Sequence, residues 1–282
     1  MDTTIVEDTA RYDAAAAEIY AAYGSMPNSS AAVDNWNAFR EVGEAVHGRS
    51  RVRVVELGCG GGRRTRAIAA MPEVAVALGL DYSHEQLALA RRGPAPANCR
   101  FAFGDLIALG NAEKDWAGGD TDVEDQLETF DVALMEFVTC HAGTQEDLDA
   151  MLVAAAAFLR PGGQLIVIDS HPGLDRAPHP PAQKYGLAKT FLLAAGQTVV
   201  PSFTRMRTTF LTPAGELSVE DYFHNVDSWV TAVSHAGLGD LTIGDVTAPP
   251  HPEPEFWNGY VAPDHPSGCA QAAVIRATKN RG

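Results

Sequence analysis

Apolar residues recur at helical spacing from the start of the chain. Over residues 11–23, Tyr12, Ala16, Ile19, Tyr20 and Tyr23 fall three or four apart on one face, which predicts an amphipathic helix. Pro27, Asn28, Ser29 and Ser30 break that pattern. A second helix is expected over 31–47, with Val33, Trp36, Phe39 and Val42 as its apolar stripe. From residue 52 the period changes. Short, mainly apolar runs at 52–57, 74–80, 100–103, 130–137 and 164–169 read as buried parallel strands. Helical stretches separate them: one at 65–71, one after Ser83, which forms a capping-box pattern with Gln86, and one at 146–160, stopped by Pro161-Gly162-Gly163. Residues 111–129 are acidic and contain glycine, and are expected as an exposed insertion. Strands alternating with helices indicate a doubly wound parallel sheet.

After Asp169 the alternation lapses. Prolines make 171–181 irregular, and 183–195 is expected as a helix. A strand is expected at 204–211, then a helix over 219–236 with Tyr222, Val226, Trp229, Val230 and Val233 inward. Strands at 241–246 and 270–277 follow, joined by a long Pro/His/aromatic loop at 247–268. The expected organisation is an N-terminal helical cap (1–48), a core (49–170), an insertion (171–217) and a closing segment (218–282) that completes the core.

Composition narrows the possible functions. The chain has 282 residues, 46% of them hydrophobic and 20% charged, which is ordinary for a globular protein with a sizeable core. Acidic residues outnumber basic ones 36 to 21, for a net charge of −15. Binders of phosphate backbone need a basic face, so no nucleic-acid partner is expected. Cys59, Cys99, Cys140 and Cys269 lack the paired spacing of zinc or redox sites and read as reduced thiols of a cytoplasmic protein. The acidic N-terminus does not look like a signal peptide, and no apolar run is long enough to predict a membrane span.

Candidate chemistry sits at the carboxyl ends of the expected strands, where open α/β sheets bind ligands. Glu56-Leu57-Gly58-Cys59-Gly60-Gly61-Gly62 follows the first. Its glycines let backbone N–H groups approach a ligand and open a helix facing it. They fall at relative positions one, three and five, and the sixth is Arg63, whereas the dinucleotide fingerprint wants glycine at one, three and six. Asp81 closes the second strand, placed to accept both hydroxyls of a ribose. Gly104-Asp105-Leu106 follows the third and offers an acceptor for an adenine amino group and an apolar contact for its ring, or simply a helix cap. The strand at 130–137 leads through Glu136 and Phe137 to His141.

Taken in order, Val54-Val55-Glu56-Leu57-Gly58-Cys59-Gly60-Gly61-Gly62, Gly79-Leu80-Asp81, Gly104-Asp105, Phe130-Asp131 and Leu159-Arg160-Pro161-Gly162-Gly163 resemble a class I S-adenosylmethionine (SAM)-dependent methyltransferase, most closely over 52–170. The resemblance implies an α/β, Rossmann-like, seven-stranded, mostly parallel sheet of order 3-2-1-4-5-7-6 with the last strand antiparallel. It implies SAM as cofactor and S-adenosylhomocysteine as product. Glu56, Gly58, Cys59, Gly60 and Gly62 would hold the methionine part. Asp81, with Tyr82 and Gln86 beside it, would hold the ribose, and Gly104, Asp105 and Leu106 the adenine. Glu136 and Phe137 would complete the cofactor site.

In that topology the chain after Asp169, the 247–268 loop and the N-terminal helices converge over the methyl group. Such loops form an enclosed pocket, which suits a small-molecule acceptor methylated on O or N, a natural-product intermediate. A hydroxyl acceptor needs a base. The candidates are His141, His171 (with Asp169 fixing its tautomer) and His224, at the start of an expected helix where similar enzymes often carry Tyr-His or Phe-His. Tyr20, Tyr23, Tyr222, Trp257 and Tyr260 are candidates to line the substrate site, and equally candidates for plain core. No metal is implied by ligand spacing, and a monomer or homodimer is expected. The competing readings are methylation of tRNA or protein, a SAM-binding protein of other activity, and an NAD(P)-dependent oxidoreductase, against which Arg63 and the later Gly104-Asp105 weigh.

Overall fold

A computed structural model describes residues 4–5, 14–111, 126–175, 182–261 and 269–281. The expectations for Tyr12 and for most of the 111–129 insertion lie outside these residues. The chain begins with β1 (Thr4–Ile5), α1 (Ala14–Gly24) and α2 (Ser30–Val46). The alternating core follows as β2 (Val52–Leu57), α3 (Arg63–Ala69), β3 (Val74–Asp81), α4 (His84–Arg92), β4 (Cys99–Phe103), α5 (Leu106–Gly110), β5 (Phe130–Glu136), α6 (Gln145–Phe158) and β6 (Leu159–Ser170). Then come β7 (Leu187–Phe191), β8 (Thr204–Thr212), β9 (Gly215–Phe223), α7 (Val226–His235), β10 (Leu238–Asp245), α8 (Asn258–Val261) and β11 (Ala272–Lys279).

The main sheet runs β10-β11-β6-β5-β2-β3-β4. The β2–β6 pairings within it are parallel, while β11 is antiparallel to both β6 and β10. This is the 3-2-1-4-5-7-6 order expected. Successive strand residues serve opposite faces. Val54, Val132, Ile166 and Val274 pack with Val33 and Val42 of α2, whereas Val55, Ala133, Met135 and Ile275 pack with Leu148 and Leu152 of α6 and Trp229 of α7. Each fully buried Val, Leu or Ile contributes about 1.5–3 kcal/mol, which is why the central strands tolerate almost no polar side chain. No helix of the described residues is long and apolar enough to cross a membrane.

A second sheet, β1-β9-β8-β7, corrects the sequence reading. Residues 183–195 do not form a helix. A single 3-10 turn at Gln183–Tyr185 gives way to β7, which pairs antiparallel with β8. The stretch expected as one helix over 219–236 is instead the end of β9 followed by α7. Backbone pairing from Thr204↔Phe223 to Thr212↔Gly215 claims the first part. Asn225 restarts the chain as a helix, its side chain accepting the Ser228 N–H at 3.0 Å. The shift in phase leaves Val226 and Val230 exposed and keeps Trp229 and Val233 inward. Trp36, expected on the buried stripe of α2, is also exposed. Tertiary pairing overrode local periodicity at each strand error.

Candidate functional site

The loop after β2 reverses tightly because alternate glycines take left-handed backbone: Gly58 at φ 78°, Gly60 at 51° and Gly62 at 71°. This explains the one-three-five spacing. At Gly58 a Cβ would lie 2.2 Å from Val138 Cγ2, and at Gly62 2.5 Å from the Phe101 ring, so neither position has room for a side chain. The loop is tied to the next strand by Asp81, whose Oδ2 accepts the Gly60 N–H at 2.7 Å while Oδ1 accepts the Ser83 N–H at 2.9 Å. Burial pushes the Asp81 carboxyl up, and these two N–H donors oppose the push. Ser83 caps α4 by accepting the Gln86 N–H, as expected. Gln86 does not complete a capping box: its Oε1 is buried at the cavity wall without a partner among the described residues.

A cavity of about 700 Å³ runs along this edge, lined by Asp81, Tyr82, Gln86, Gly104, Asp105 and Leu106 among others. Asp105 caps α5, its Oδ1 accepting the Ile107 and Ala108 N–H groups, as the helix-cap reading expects, while Oδ2 has no partner among the described residues. A second cavity of about 360 Å³ lies beside it. Tyr20, Gly58, Gly60, Gln86, Glu136, Phe137 and His141 border both. Phe137 holds a left-handed backbone, φ 50°, at this junction, a strain that non-glycine residues sustain mainly at functional sites. Arg64 is sandwiched there between Glu56 (Nε to Oε1, 2.7 Å) and Glu136. Glu56 therefore faces α3 with its carboxylate spent on Arg64 and Thr65.

The second cavity is walled by residues that sequence reasoning missed. The small sheet presents Leu187 and Lys189 of β7, Thr208 and Phe210 of β8, and Val219 and Asp221 of β9. Each pair is two residues apart and so lies on one strand face. In register, Lys189 pairs with Thr208 and Thr208 with Val219. Read as helices, β7 and the end of β9 would have scattered these side chains around an axis. Asp34 enters from α2, buried, accepting the Tyr260 hydroxyl at 3.1 Å. Desolvation pushes its carboxyl up to about 7, against the Tyr260 bond and the charges of Lys189 and Arg64. The polar positions Asp34, Asn37 and Glu41, at helical spacing on the buried face of α2, were the signal available for it.

Of the sequence candidates, Tyr20, Tyr23 and His141 reach the second cavity. His141 Nδ1 is buried, has no hydrogen-bond partner among the described residues, and lies 3.8 Å from Asp221 Oδ1. Cys140, His141 and Asp221 are also a grouping that ligand spacing along the sequence did not reveal: their ligand atoms lie within 4.8 Å of one another. His171 and His224 line neither cavity. His171 Nδ1 accepts the Gly173 N–H, and its Nε2 faces Asp245 at 3.5 Å. Asp169 does not orient it, being bonded to Thr139 and the Ser170 N–H. His224 follows β9 and is not on a helix. Its Nε2 pairs with the Ala142 carbonyl at 2.9 Å, and burial pushes its imidazole below the usual range. Tyr222, Trp257 and Tyr260 also stand outside the lining, and the last two are core residues stacked around Tyr185.

The ordered acids at strand ends and the glycine loop between them have a counterpart. Residues 55–165 match a methyltransferase domain. The fold extends the likeness over nearly the whole chain. The methyltransferase CcbJ of Streptomyces caelestis superposes with a TM-score of 0.59 at 16% identity, covering 95% of this chain and 100% of its own. CalS10, a SAM-bound amino pentose methyltransferase of Micromonospora echinaspora involved in calicheamicin biosynthesis, gives 0.52 at 18% identity, covering 97% and 100%. A SAM-dependent methyltransferase of Mesorhizobium loti gives 0.54 at 19%, covering 87% and 98%. No curated protein sequence matches the chain. The domain match and the fold point to SAM as the cofactor, and the unpartnered Gln86 Oε1 and Asp105 Oδ2 on the larger cavity suit a ligand rich in N–H and O–H donors.

Proposed function

We propose that this protein is a SAM-dependent methyltransferase acting on O or N of a small-molecule metabolite, a natural-product intermediate. The observation that carries the reading is the pair of cavities meeting at one wall of Tyr20, Glu136, Phe137 and His141. The larger has the acids of a nucleoside site. The smaller is walled by α1 and the second sheet, a size and enclosure that suit a small acceptor. The involvement of CalS10 in calicheamicin biosynthesis supports the natural-product assignment.

When bound, SAM supplies a methyl group on a sulfonium. The protein's tasks are to position the acceptor, exclude water and accept a proton. Asp81 and Gln86 hold the nucleoside end; Asp105 and Leu106 hold its base. We assign proton acceptance to His141, which borders both cavities, with Asp221 behind Nδ1 to favour the tautomer that leaves Nε2 free. His171 and His224 have no part in this step.

The reading is tested by calorimetric titration with S-adenosylhomocysteine and, separately, NADH, on the native protein and on Asp81→Ala. Micromolar binding of the former alone, weakened about a hundredfold in the variant, is expected, since a buried charged acceptor is removed. Binding of NADH instead would overturn the cofactor assignment.

A further inference from the structure

The ionisable groups lining the smaller cavity are unevenly paired. Arg64 is neutralised by Glu56 and Glu136, Arg66 donates to the Ala90 and Gly61 carbonyls, and Arg63 lines the same cavity with no ion-pair partner among the described residues. Two buried carboxylates, Asp34 and Asp221, also line it, neither within ion-pair distance of a lysine or arginine among the described residues. Lys189 lines it too, but its Nζ donates to Ser170 Oγ at 2.7 Å and lies over the Phe137 ring at 4.9 Å. It leaves the Asp34 carboxyl pushed up to about 7. Tyr20, Tyr23 and Phe210 form one aromatic wall of the cavity, with the Phe210 centroid 5.3 and 4.8 Å from those of the two tyrosines. Thr208, 2% exposed, lines the same space, and its buried Oγ1 has no partner among the described residues.

A buried acceptor without a donor and a carboxylate outside ion-pair distance of any cation are costly unless a ligand supplies what is missing. Aromatic faces add attraction for a cation and little for a neutral hydroxyl. We propose that the acceptor cavity recognises a protonated amine, with Asp34 as its counter-charge, Thr208 as a hydrogen-bond acceptor and Tyr20, Tyr23 and Phe210 as its aromatic wall. The proposal rests on the methyltransferase reading for the cavity's role and narrows the acceptor from O-or-N compounds to amines. The proton that the ammonium gives up before its nitrogen is methylated passes to His141, behind which Asp221 lies 3.8 Å from Nδ1.

The test separates the two readings. Phenethylammonium and its neutral counterpart 2-phenylethanol are titrated at pH 8 into the protein, with and without saturating S-adenosylhomocysteine, and S-adenosylhomocysteine binding is measured on its own. A failure of S-adenosylhomocysteine to bind would sink the cofactor reading, whatever the amine does. Saturable binding of the ammonium about tenfold tighter than the alcohol is expected. That preference should fall toward unity in Asp34→Asn and by about threefold in the milder Thr208→Val, with thermal melts reporting that both variants are folded. Equal affinity for the two probes, no saturable binding of the ammonium, or a preference unchanged in both variants would overturn the proposal.

Discussion

The ends of the cavity system proposed for the nucleoside and for the acceptor are built by different rules. At the nucleoside end, functional groups come from strand termini and the turns just after them: Gly58 to Gly62 after β2, Asp81 at the end of β3 and Asp105 after β4. Neighbours in sequence are neighbours in the site, and backbone N–H groups tie them together. At the acceptor end, the lining is a mosaic of side chains from α1, α2, β7, β8 and β9, drawn from two helices and a separate antiparallel sheet rather than from one run of sequence. A site of the first kind leaves a motif. A site of the second kind leaves only isolated polar residues in apolar surroundings.

The largest effect that would break this division concerns the junction. His141→Ala is expected to lower turnover of the acceptor by about 10²–10⁴-fold, the usual contribution of a positioned base, if the acceptor loses its proton there. The affinity for S-adenosylhomocysteine should change by no more than about threefold. Turnover assays beside calorimetry check it. A variant that lost cofactor affinity and kept turnover would place His141 at the nucleoside end instead.

Next in size is Gly62→Ala, expected to destabilise the protein by about 3 kcal/mol, combining left-handed strain with overpacking against Phe101 and Ala90. Denaturant titration measures the loss. Because the damage sits in the loop behind the nucleoside end, binding of the ammonium probe to the folded variant should persist. Loss of stability without loss of amine binding would sharpen the claim that the two ends are independently built.

The same division sets how much was legible in the sequence. The main sheet, its strand order and the acids at its strand ends followed from buried runs that stop at Gly or Asp, because a parallel strand covered on both faces has one simple signature. Asp81 and Asp105 were found by that logic, as was His141, four residues beyond Phe137. The second sheet was not legible. Leu187 to Phe191 and Gly215 to Phe223 are short, half-buried and bordered by residues common in helices, and what fixes them is pairing with β8. Once β9 was read as part of a helix, Asp221 lost its face, and Lys189 and Thr208 had no reason to be grouped with it. Asp34 is hidden for a different reason: with Asn37 and Glu41 at helical spacing it reads as part of a solvated helix face, whereas all three are buried. His171 and His224 lie close to strand ends, where Gly173 and Asp245 face the two ring nitrogens of His171 and the Ala142 carbonyl pairs with His224 Nε2.

The smallest expected effect is a difference in pH dependence, and it probes the two ends by how each treats its buried acid. Asp81 keeps two backbone N–H donors, whereas Asp34 has the Tyr260 hydroxyl. Asp34 is raised from an ordinary 3.8 to about 7, so between those values the folded protein holds a proton there that the unfolded chain has released. Its contribution to stability is therefore full below the unfolded value and is lost as pH rises through about 7, at no more than about 1.4 kcal/mol per pH unit. The groups that set this balance are Tyr260 and Tyr23, the cations Lys189 and Arg64, and Asp169. His171 and His224, both held low by burial, act with the opposite sign and lose stability as pH falls. The informative quantity is thus the melting temperature of the native protein minus that of Asp34→Asn, followed from pH 5 to pH 8. That difference should decline with rising pH, and saturating phenethylammonium should reduce the decline by stabilising the carboxylate. A difference that stays flat would mean that Asp34 is already ionised, and that the acceptor end meets its buried charge from within, as the nucleoside end does.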